Sequence, residues 1–134
     1  MIYGVGIDLV DIGRIERAWA RFGIRFERRI FRPDEVEVCR FRPRPGACLA
    51  QRFAAKEAFS KAVGLGLRSS ELLWRDIEVR HTRRGRPFFA LHGTAEAVAG
   101  RIGLTAAHLS LTDEAGLAQA FVVVEVADEA GHGR

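Results

Sequence analysis

Long apolar runs and cysteine are scarce in this sequence of 134 residues. No run approaches the roughly 18 apolar residues that a membrane span needs, and the N-terminus lacks the basic region and cleavage site of a signal peptide. Cys39 and Cys48 show no CxxC pattern and have no histidine at metal-ligand spacing, so we expect reduced structural thiols rather than zinc ligands or a disulfide framework. We predict a soluble cytoplasmic protein with one domain over residues 1–126 and a disordered tail at 127–134.

Familiar catalytic and metal-binding signatures are absent as well. The sequence contains no nucleophile elbow, Walker loop or GxGxxG motif. His81, His92 and His108 fall on separate predicted strands without ligand spacing. These absences argue against a serine hydrolase, a P-loop nucleotide-binding protein, a dinucleotide-binding domain and a histidine-centred metal site.

Lysine is the scarce basic residue, since 19 of the 21 basic side chains are arginine and lysine occurs only at positions 56 and 61. Arginine suits forked, bidentate contacts, whereas lysine is a compact point charge that can reach one phosphate oxygen in a tight space. Both lysines fall between Gln51 and Gly66, in QRFAAKEAFSKAVGLG, which has the composition of a helix ended by glycine. We therefore hypothesise that this helix handles phosphate groups.

One face of the predicted lysine helix could form a site. At about 100° per residue, Phe53, Glu57, Lys61 and Gly64 lie along one side, with Ser60 beside them. An acid and an amine one turn apart could hold a metal ion next to a phosphate. An ordinary surface ion pair explains the same spacing and is the commoner case.

A second helix, predicted over residues 11–31, carries a stripe of one charge. Arginines 14, 17, 21, 25 and 28 share a narrow sector beside an apolar stripe, and Gly23 is expected to bend or break the helix. A charged stripe is usually a solvated face, but a stripe of one sign repels itself unless something negative docks against it. The net charge of +4 also favours an acidic partner, which could be a nucleic acid, an acidic protein or a polyanionic small molecule.

The other elements are one strand, two short helices and two hairpins, which together predict an α+β fold. Residues 2–10 read as a strand with one buried face, followed later by a short helix from about Pro33 to Arg40 and a loop, RPRPG, at residues 42–46. Strand-like runs on both sides of residues 83–85 and 114–116 predict the hairpins, and residues 94–102 a helix between them.

Two positions keep alternative interpretations open. Asp8, near the end of the first strand, is either a cap for the following helix or a ligand that faces a site. His108, Ser110 and Thr112 share one face of a predicted strand, which is either an exposed sheet face or a polar ligand wall.

Two motifs carry a family resemblance: GIDLVDIGRIE, from Gly6, and FAAKEAFSKAVGLG, from Phe53. With the GxP at Gly85 to Pro87 and the HxSxT at residues 108–112, they resemble the holo-acyl carrier protein synthases, the small 4'-phosphopantetheinyl transferases of fatty acid synthesis. The resemblance covers residues 1–126. It implies a small α+β fold in which an antiparallel sheet packs with helices, and a homotrimer with sites between protomers. It also implies transfer of 4'-phosphopantetheine from coenzyme A to a serine of apo-acyl carrier protein, with release of adenosine 3',5'-bisphosphate.

The resemblance also implies residue roles. Asp8 and Glu57 would hold Mg²⁺ on the pyrophosphate, and Lys61 would bind the pyrophosphate; the base is either Glu57 or a metal-bound water. The residues expected to bind coenzyme A are Arg44, Arg52, Ser60, Lys61, Gly64, Gly66, Gly85, Pro87, His108, Ser110 and Thr112, of which the last five would come from the neighbouring subunit. The residues expected to dock the acidic carrier protein are Arg14, Arg21, Arg25, Phe26 and Arg29.

Asp113 and the RPRPG loop depart from the family pattern, because many members carry a second histidine where Asp113 stands and a loop richer in lysine. The rival reading is a non-catalytic module that binds RNA or another polyanion. That reading would explain the arginines, but it leaves Asp8 and the lysine helix unexplained and lacks the aromatic pattern of common RNA modules. We therefore expect no nucleic-acid or membrane partner. Carriers of polyketide or peptide synthases remain alternative substrates.

Overall fold

The computed structural model describes residues 1–67 and 70–128. The elements in chain order are strand β1 (Ile2–Asp11), helices α1 (Ile12–Phe22), α2 (Ile24–Ile30), α3 (Pro33–Arg40) and α4 (Pro45–Val63), a 3₁₀ turn at Trp74–Asp76, strands β2 (Ile77–His81) and β3 (Pro87–Leu91), helix α5 (Gly93–Ile102), and strands β4 (Leu104–Glu114) and β5 (Leu117–Val126). The predicted α+β class and both hairpins are confirmed. The expected tail falls mainly on residues 129–134, which lie outside the described residues.

Two antiparallel sheets organise the fold, one with strand order β1-β5-β4 and a smaller one with β2 beside β3. Helix α4 packs on one face of the larger sheet. Small side chains of α4, among them Ala54, Ala58 and Ala62, are buried against that sheet, where Ala120 and Val122 of β5 are also fully buried. None of the helices within the described residues has both the length and the apolar character needed to cross a membrane.

Strand β1 turns two glycines toward α4. A Cβ atom at Gly4 would overlap the carbonyl oxygen of Ala62, and one at Gly6 would overlap the carbonyl oxygen of Ala58. The expected buried face is therefore the side that carries the two glycines, Asp8 and the buried Val10. The alternate residues, which include Ile7, remain exposed on the other face of the sheet.

The basic segment is two helices rather than one. Gly23 has φ +54° and separates α1 from α2, so the predicted break is confirmed. Asp11 caps α1, since one of its carboxylate oxygens accepts a hydrogen bond from Arg14 N at 3.2 Å. Pro33 begins α3 as predicted, in the first turn, where its missing N–H is not needed.

The predicted RPRPG loop is wrong in its second half. Helix α4 begins at Pro45 and includes Gly46, so it starts six residues before the Gln51 that opens the predicted helix. Proline is suited to the first helical position because its fixed φ fits the helix and its lack of an N–H costs nothing there. Gly46 leaves room for the side chain of Glu16, which a Cβ at this position would meet.

The prediction of free thiols is also wrong, because Cys39 and Cys48 form a disulfide with their Cα atoms 5.4 Å apart. Cys39 lies in the last turn of α3 and Cys48 in the first turn of α4, and these two helices pack side by side. The bond closes the segment that contains Arg42 and Arg44. The sequence spacing did not indicate this pairing, because the approach of the two helix ends is a tertiary feature.

Candidate active site

Asp8 and Lys61 meet where β1 crosses α4. Lys61 Nζ donates to Asp8 Oδ1 at 3.1 Å and to the carbonyl oxygen of Ile7 at 2.9 Å. The Asp8 side chain is 17% exposed and that of Lys61 is 54% exposed, so the pair lies at the protein surface. Because Asp11 caps α1, the interpretation of Asp8 as a helix cap is wrong, and Asp8 faces the lysine helix instead.

Glu57 lies one turn before Lys61 on the same side of α4. It accepts a hydrogen bond at Oε1 from Trp74 Nε1, at 3.2 Å. The Trp74 ring stacks on Phe53, with ring centroids 6.4 Å apart and planes inclined by 23°. No pattern in the sequence singles out Trp74, because it lies in an irregular segment and approaches Glu57 only through the fold.

Glu57 opens onto a groove of about 1430 Å³, which we call the arginine groove. Its walls come from α1 and α2 on one side and from α4 and the Trp74 turn on the other, and its lining includes Arg14, Arg25, Phe26, Arg29, Phe53 and Glu57. Most of the expected docking residues and one expected metal ligand therefore face the same space.

The rim of the arginine groove is positively charged and partly aromatic. The guanidinium carbons of Arg21 and Arg25 lie 5.2 and 5.8 Å from the ring centroid of the exposed Phe22. Arg29 lies over the Trp74 ring at 5.7 Å. An arginine that stacks on an aromatic ring keeps its hydrogen-bond donors free at the ring edge for an anionic partner.

Lys56 does not belong to this site. Its side chain is fully buried, and Nζ donates to Glu35 Oε1 at 2.8 Å, to the carbonyl oxygen of Trp74 at 3.1 Å and to that of Ile77 at 2.6 Å. Burial lowers the pKa of Lys56, and the neighbouring Glu35 carboxylate opposes that shift. Three acceptors match the three donors of an ammonium group. The common phosphate-handling role expected for both lysines therefore does not apply to Lys56, which crosslinks the core.

Arg52 is likewise enclosed, although the resemblance places it on the nucleotide. It is 3% exposed, its Nη1 lies 3.0 Å from Cys48 Sγ, and its Nη2 lies 3.2 Å from His81 Nδ1. Arg52 and His81 line a second pocket, of about 330 Å³, together with Arg42. Burial, followed by the charges of Arg52 and Arg42, lowers the pKa of His81 to about 4.

Arg44 and Ser60 have partners inside the subunit. Arg44 Nη2 donates to Asp113 Oδ1 at 2.9 Å, and the side chain of Gln51 donates to the other oxygen of Asp113 at 2.6 Å. Asp113, which departs from the family pattern, thus joins the start of α4 to β4. The buried Ser60 hydroxyl donates to the carbonyl oxygen of Glu57 at 2.7 Å and so stabilises the helix locally.

His108, Ser110 and Thr112 lie on the sheet face that points away from α4, and all three are exposed. These positions therefore form an exposed sheet face within one subunit, and the polar ligand wall stays a prediction. Gly85, with φ +92°, and Pro87 lie in the β2–β3 hairpin. Within one subunit, His108, Ser110 and Thr112 therefore lie on the opposite face of the larger sheet from the Asp8–Lys61 pair.

Gly64 ends helix α4, whereas Gly66 lies just beyond the helix. Gly64 ends α4 in the left-handed conformation, with φ +81°, as the predicted glycine stop requires. A Cβ atom at Gly64 or Gly66 would meet nothing within 4 Å, so the space beside both residues is open.

Asp8 and Glu57 have the donor chemistry that Mg²⁺ prefers. Across residues 1–67 and 70–128, no three histidine, cysteine, aspartate or glutamate side chains cluster as a protein-only metal cage would require. Magnesium does not need such a cage, because it is commonly bound by one or two carboxylates, substrate phosphates and waters. The carboxylates of Asp8 and Glu57, with Lys61 next to Asp8, fit that mode.

Known proteins are similar to this chain over nearly its whole length. A family profile described as 4'-phosphopantetheinyl transferase superfamily matches residues 4–120. Holo-[acyl-carrier-protein] synthases of Nitrosomonas eutropha and Methylorubrum populi are each 47% identical, covering 93% and 98% of this chain and 99% and 98% of their own lengths.

Solved structures agree with these relatives. The holo-[acyl-carrier-protein] synthase of Neisseria meningitidis has a TM-score of 0.85 at 40% identity, covering 93% of this chain and 99% of its own. The synthase of Helicobacter pylori in complex with coenzyme A has a TM-score of 0.80 at 32% identity, covering 90% and 99%. Motifs, fold and site therefore lead to one conclusion: the chain belongs to the 4'-phosphopantetheinyl transferase superfamily.

Proposed function

We propose that this chain is a Mg²⁺-dependent holo-[acyl-carrier-protein] synthase. It transfers 4'-phosphopantetheine from coenzyme A to a serine of apo-acyl carrier protein and releases adenosine 3',5'-bisphosphate. The observation that carries the proposal is that Glu57 lies at the wall of the arginine groove, one helical turn from Lys61, whose ammonium group contacts Asp8. The similarity of this chain to the holo-[acyl-carrier-protein] synthases named above supports it. A cytoplasmic location is part of the same proposal.

The residues of the site divide the work of the transfer. Asp8 and Glu57 would hold Mg²⁺, which when bound supplies positive charge against the pyrophosphate of coenzyme A. Lys61 would neutralise the negative charge that develops on the bridging oxygen of the pyrophosphate when the bond between that oxygen and the transferred phosphorus breaks. The serine oxygen forms the new bond to that phosphorus, and its proton passes to Glu57 or to a water that Glu57 orients.

A direct transfer assay tests the proposal. Purified protein is incubated with coenzyme A, Mg²⁺ and each of several apo-carrier proteins, and intact-mass spectrometry measures the carriers. We expect one carrier serine to gain the mass of the phosphopantetheine arm, and removal of divalent metal by a chelator to abolish the gain. Absence of a mass gain on every carrier, together with RNA binding that weakens steeply with salt, would instead support the polyanion-binding module.

The exposed arginines of the groove rim are proposed to dock the acidic carrier protein. We expect Arg21→Glu combined with Arg25→Glu to raise the KM for carrier protein about tenfold or more, since like charges across an interface impede both encounter and binding. The KM for coenzyme A stays unchanged because neither side chain is placed on the nucleotide. Steady-state kinetics with each substrate varied in turn make the measurement. The control is Arg101→Glu, at an exposed arginine in the last turn of α5, which should leave both KM values unchanged. Equal increases in the KM for carrier protein and the KM for coenzyme A in the double variant would contradict separate docking.

The open face of the larger sheet is proposed to build a homotrimer. Ile7 and Phe121 are paired across β1 and β5 and are 51% and 43% exposed, as part of an apolar patch with Val5 and Leu9. Exposed apolar patches of this kind mark association surfaces. His108, Ser110 and Thr112 share that face, so they could reach the Asp8–Lys61 pair only from another copy of the chain.

We expect Ile7→Glu combined with Phe121→Glu to convert a trimer into monomers and to abolish transfer, because two carboxylates would be buried in each contact. Sedimentation velocity measures the assembly state. Phe41→Glu, at an apolar side chain that is 80% exposed on another surface, is the control and should leave the trimer intact. A wild-type monomer that is fully active would refute the shared site.

A further inference from the structure

Trp74 is held in place from several sides. Its carbonyl oxygen accepts a hydrogen bond from the buried Lys56 Nζ at 3.1 Å. Just before it, Leu73 N donates to Thr94 Oγ1 at 3.0 Å, and just after it Asp76 accepts from the same hydroxyl at 2.7 Å. The backbone on both sides of Trp74 is therefore anchored to the core and to the start of α5.

The indole ring is fixed as well. Phe53 stacks on it, Arg29 lies over it at 5.7 Å, and its N–H is directed at Glu57 Oε1 at 3.2 Å. A ring with a fixed backbone and a packed face presents its single donor in one direction. Groups that hydrogen-bond to a metal-binding carboxylate set the orientation of that carboxylate, and their loss typically weakens metal binding about 10- to 100-fold.

We propose that Trp74 is a positioning residue that orients the Glu57 carboxylate for a divalent cation. The inference rests on the proposed function for the role of Glu57. It adds that a side chain from outside both sequence motifs determines how tightly the cation is held. Lys56 takes part indirectly, because its buried ammonium group fixes the backbone that carries the indole.

Trp74→Phe tests the inference, since phenylalanine preserves a ring for Phe53 and Arg29 and removes the N–H donor. Binding of Mn²⁺, measured with coenzyme A present through the electron paramagnetic resonance signal of the free ion, is expected to weaken about tenfold. The Mg²⁺ concentration at half-maximal transfer should rise by a similar factor, while the rate at saturating Mg²⁺ stays within a few-fold of wild type.

Trp19→Phe is the matched control. Trp19 Nε1 also donates to a glutamate, Glu27 Oε2, at 2.7 Å, and Arg40 also lies over its ring, at 5.6 Å. Trp19→Phe therefore removes the same type of indole-to-glutamate hydrogen bond, but at a position outside the metal site. Mn²⁺ affinity and the Mg²⁺ requirement should therefore remain those of wild type.

A fluorescence measurement keeps the inference testable even where Trp74→Phe fails to fold. The chain has two tryptophans, so Trp19→Phe leaves Trp74 as the single emitter. Paramagnetic Mn²⁺ bound at Glu57 should quench that emission strongly in the presence of coenzyme A, and diamagnetic Mg²⁺ should compete the quenching away.

The outcomes separate this inference from the proposed function. An active wild-type enzyme whose Trp74→Phe variant binds Mn²⁺ equally well, or loses only its maximal rate, overturns the positioning role. Unquenched Trp74 emission at saturating Mn²⁺ overturns it too. A wild-type protein that modifies no carrier overturns the proposed function, whatever the metal-binding result.

Discussion

Glu57→Gln is expected to lower the rate of phosphopantetheinyl transfer by about 10³-fold or more, because one substitution removes both a metal-binding charge and a candidate proton acceptor. Glutamine has nearly the same size, and its amide oxygen can still accept the hydrogen bond from Trp74. The loss therefore reports the missing charge rather than a change of packing. Initial rates at saturating coenzyme A, carrier protein and Mg²⁺ measure the effect.

The control for Glu57→Gln is Glu37→Gln, an exposed glutamate on α3 outside the arginine groove, which should leave the rate unchanged. Asp8→Asn should resemble Glu57→Gln, while the Lys61 amine retains the carbonyl oxygen of Ile7 as a partner. If Glu57→Gln and Asp8→Asn each kept a tenth or more of the wild-type rate, the assignment of these carboxylates to the metal would be wrong.

The second large effect concerns stability, and it separates the two lysines of α4. Lys56→Met is expected to lower the free energy of unfolding by about 3–5 kcal/mol, because it leaves the buried Glu35 carboxylate without its cation. Lys61→Met, five residues later and half exposed, should change it by no more than about 0.5 kcal/mol. Urea denaturation at one fixed protein concentration makes the comparison, since assembly would contribute to stability.

Both lysine variants should lose activity, but for different reasons. Lys61→Met is expected to remain folded and lose transfer, whereas Lys56→Met loses activity through unfolding and loosening of the Trp74 turn. Glu35→Gln added to Lys56→Met should recover part of the lost stability, because it removes the uncompensated charge. Equal stability losses in the two single variants would contradict the division of α4 into a core side and a site side.

The local geometry of the candidate site could be predicted because its residues lie on two short motifs, within which the sequence determines the backbone. The 3.6-residue period placed Glu57 one turn before Lys61, and Gly64 ended the helix in the left-handed conformation that favours glycine. Gly23 broke the basic helix for a similar local reason. These predictions depended on neighbours within a few residues, where propensity and spacing are informative.

The features that sequence reasoning missed all depend on contacts between distant elements. Cys39 and Cys48 bond because two helix ends meet, and Lys56 is buried because α3, the Trp74 turn and β2 surround it. Trp74 reaches Glu57 from an irregular segment 17 residues further along the chain. No periodicity encodes such approaches. The scarcity of lysine was misleading for Lys56, and the phosphate role of Lys61 stays a prediction.

The glycines of β1 have a consequence for how this enzyme can vary. Since Gly4 and Gly6 let the strand rest on the carbonyl oxygens of Ala62 and Ala58, the separation of the two backbones is at its minimum. Any side chain at either glycine would lift α4 and draw Lys61 away from Asp8. Strand β1 and helix α4 therefore form one rigid unit. Grafting the site onto another scaffold would require both elements together.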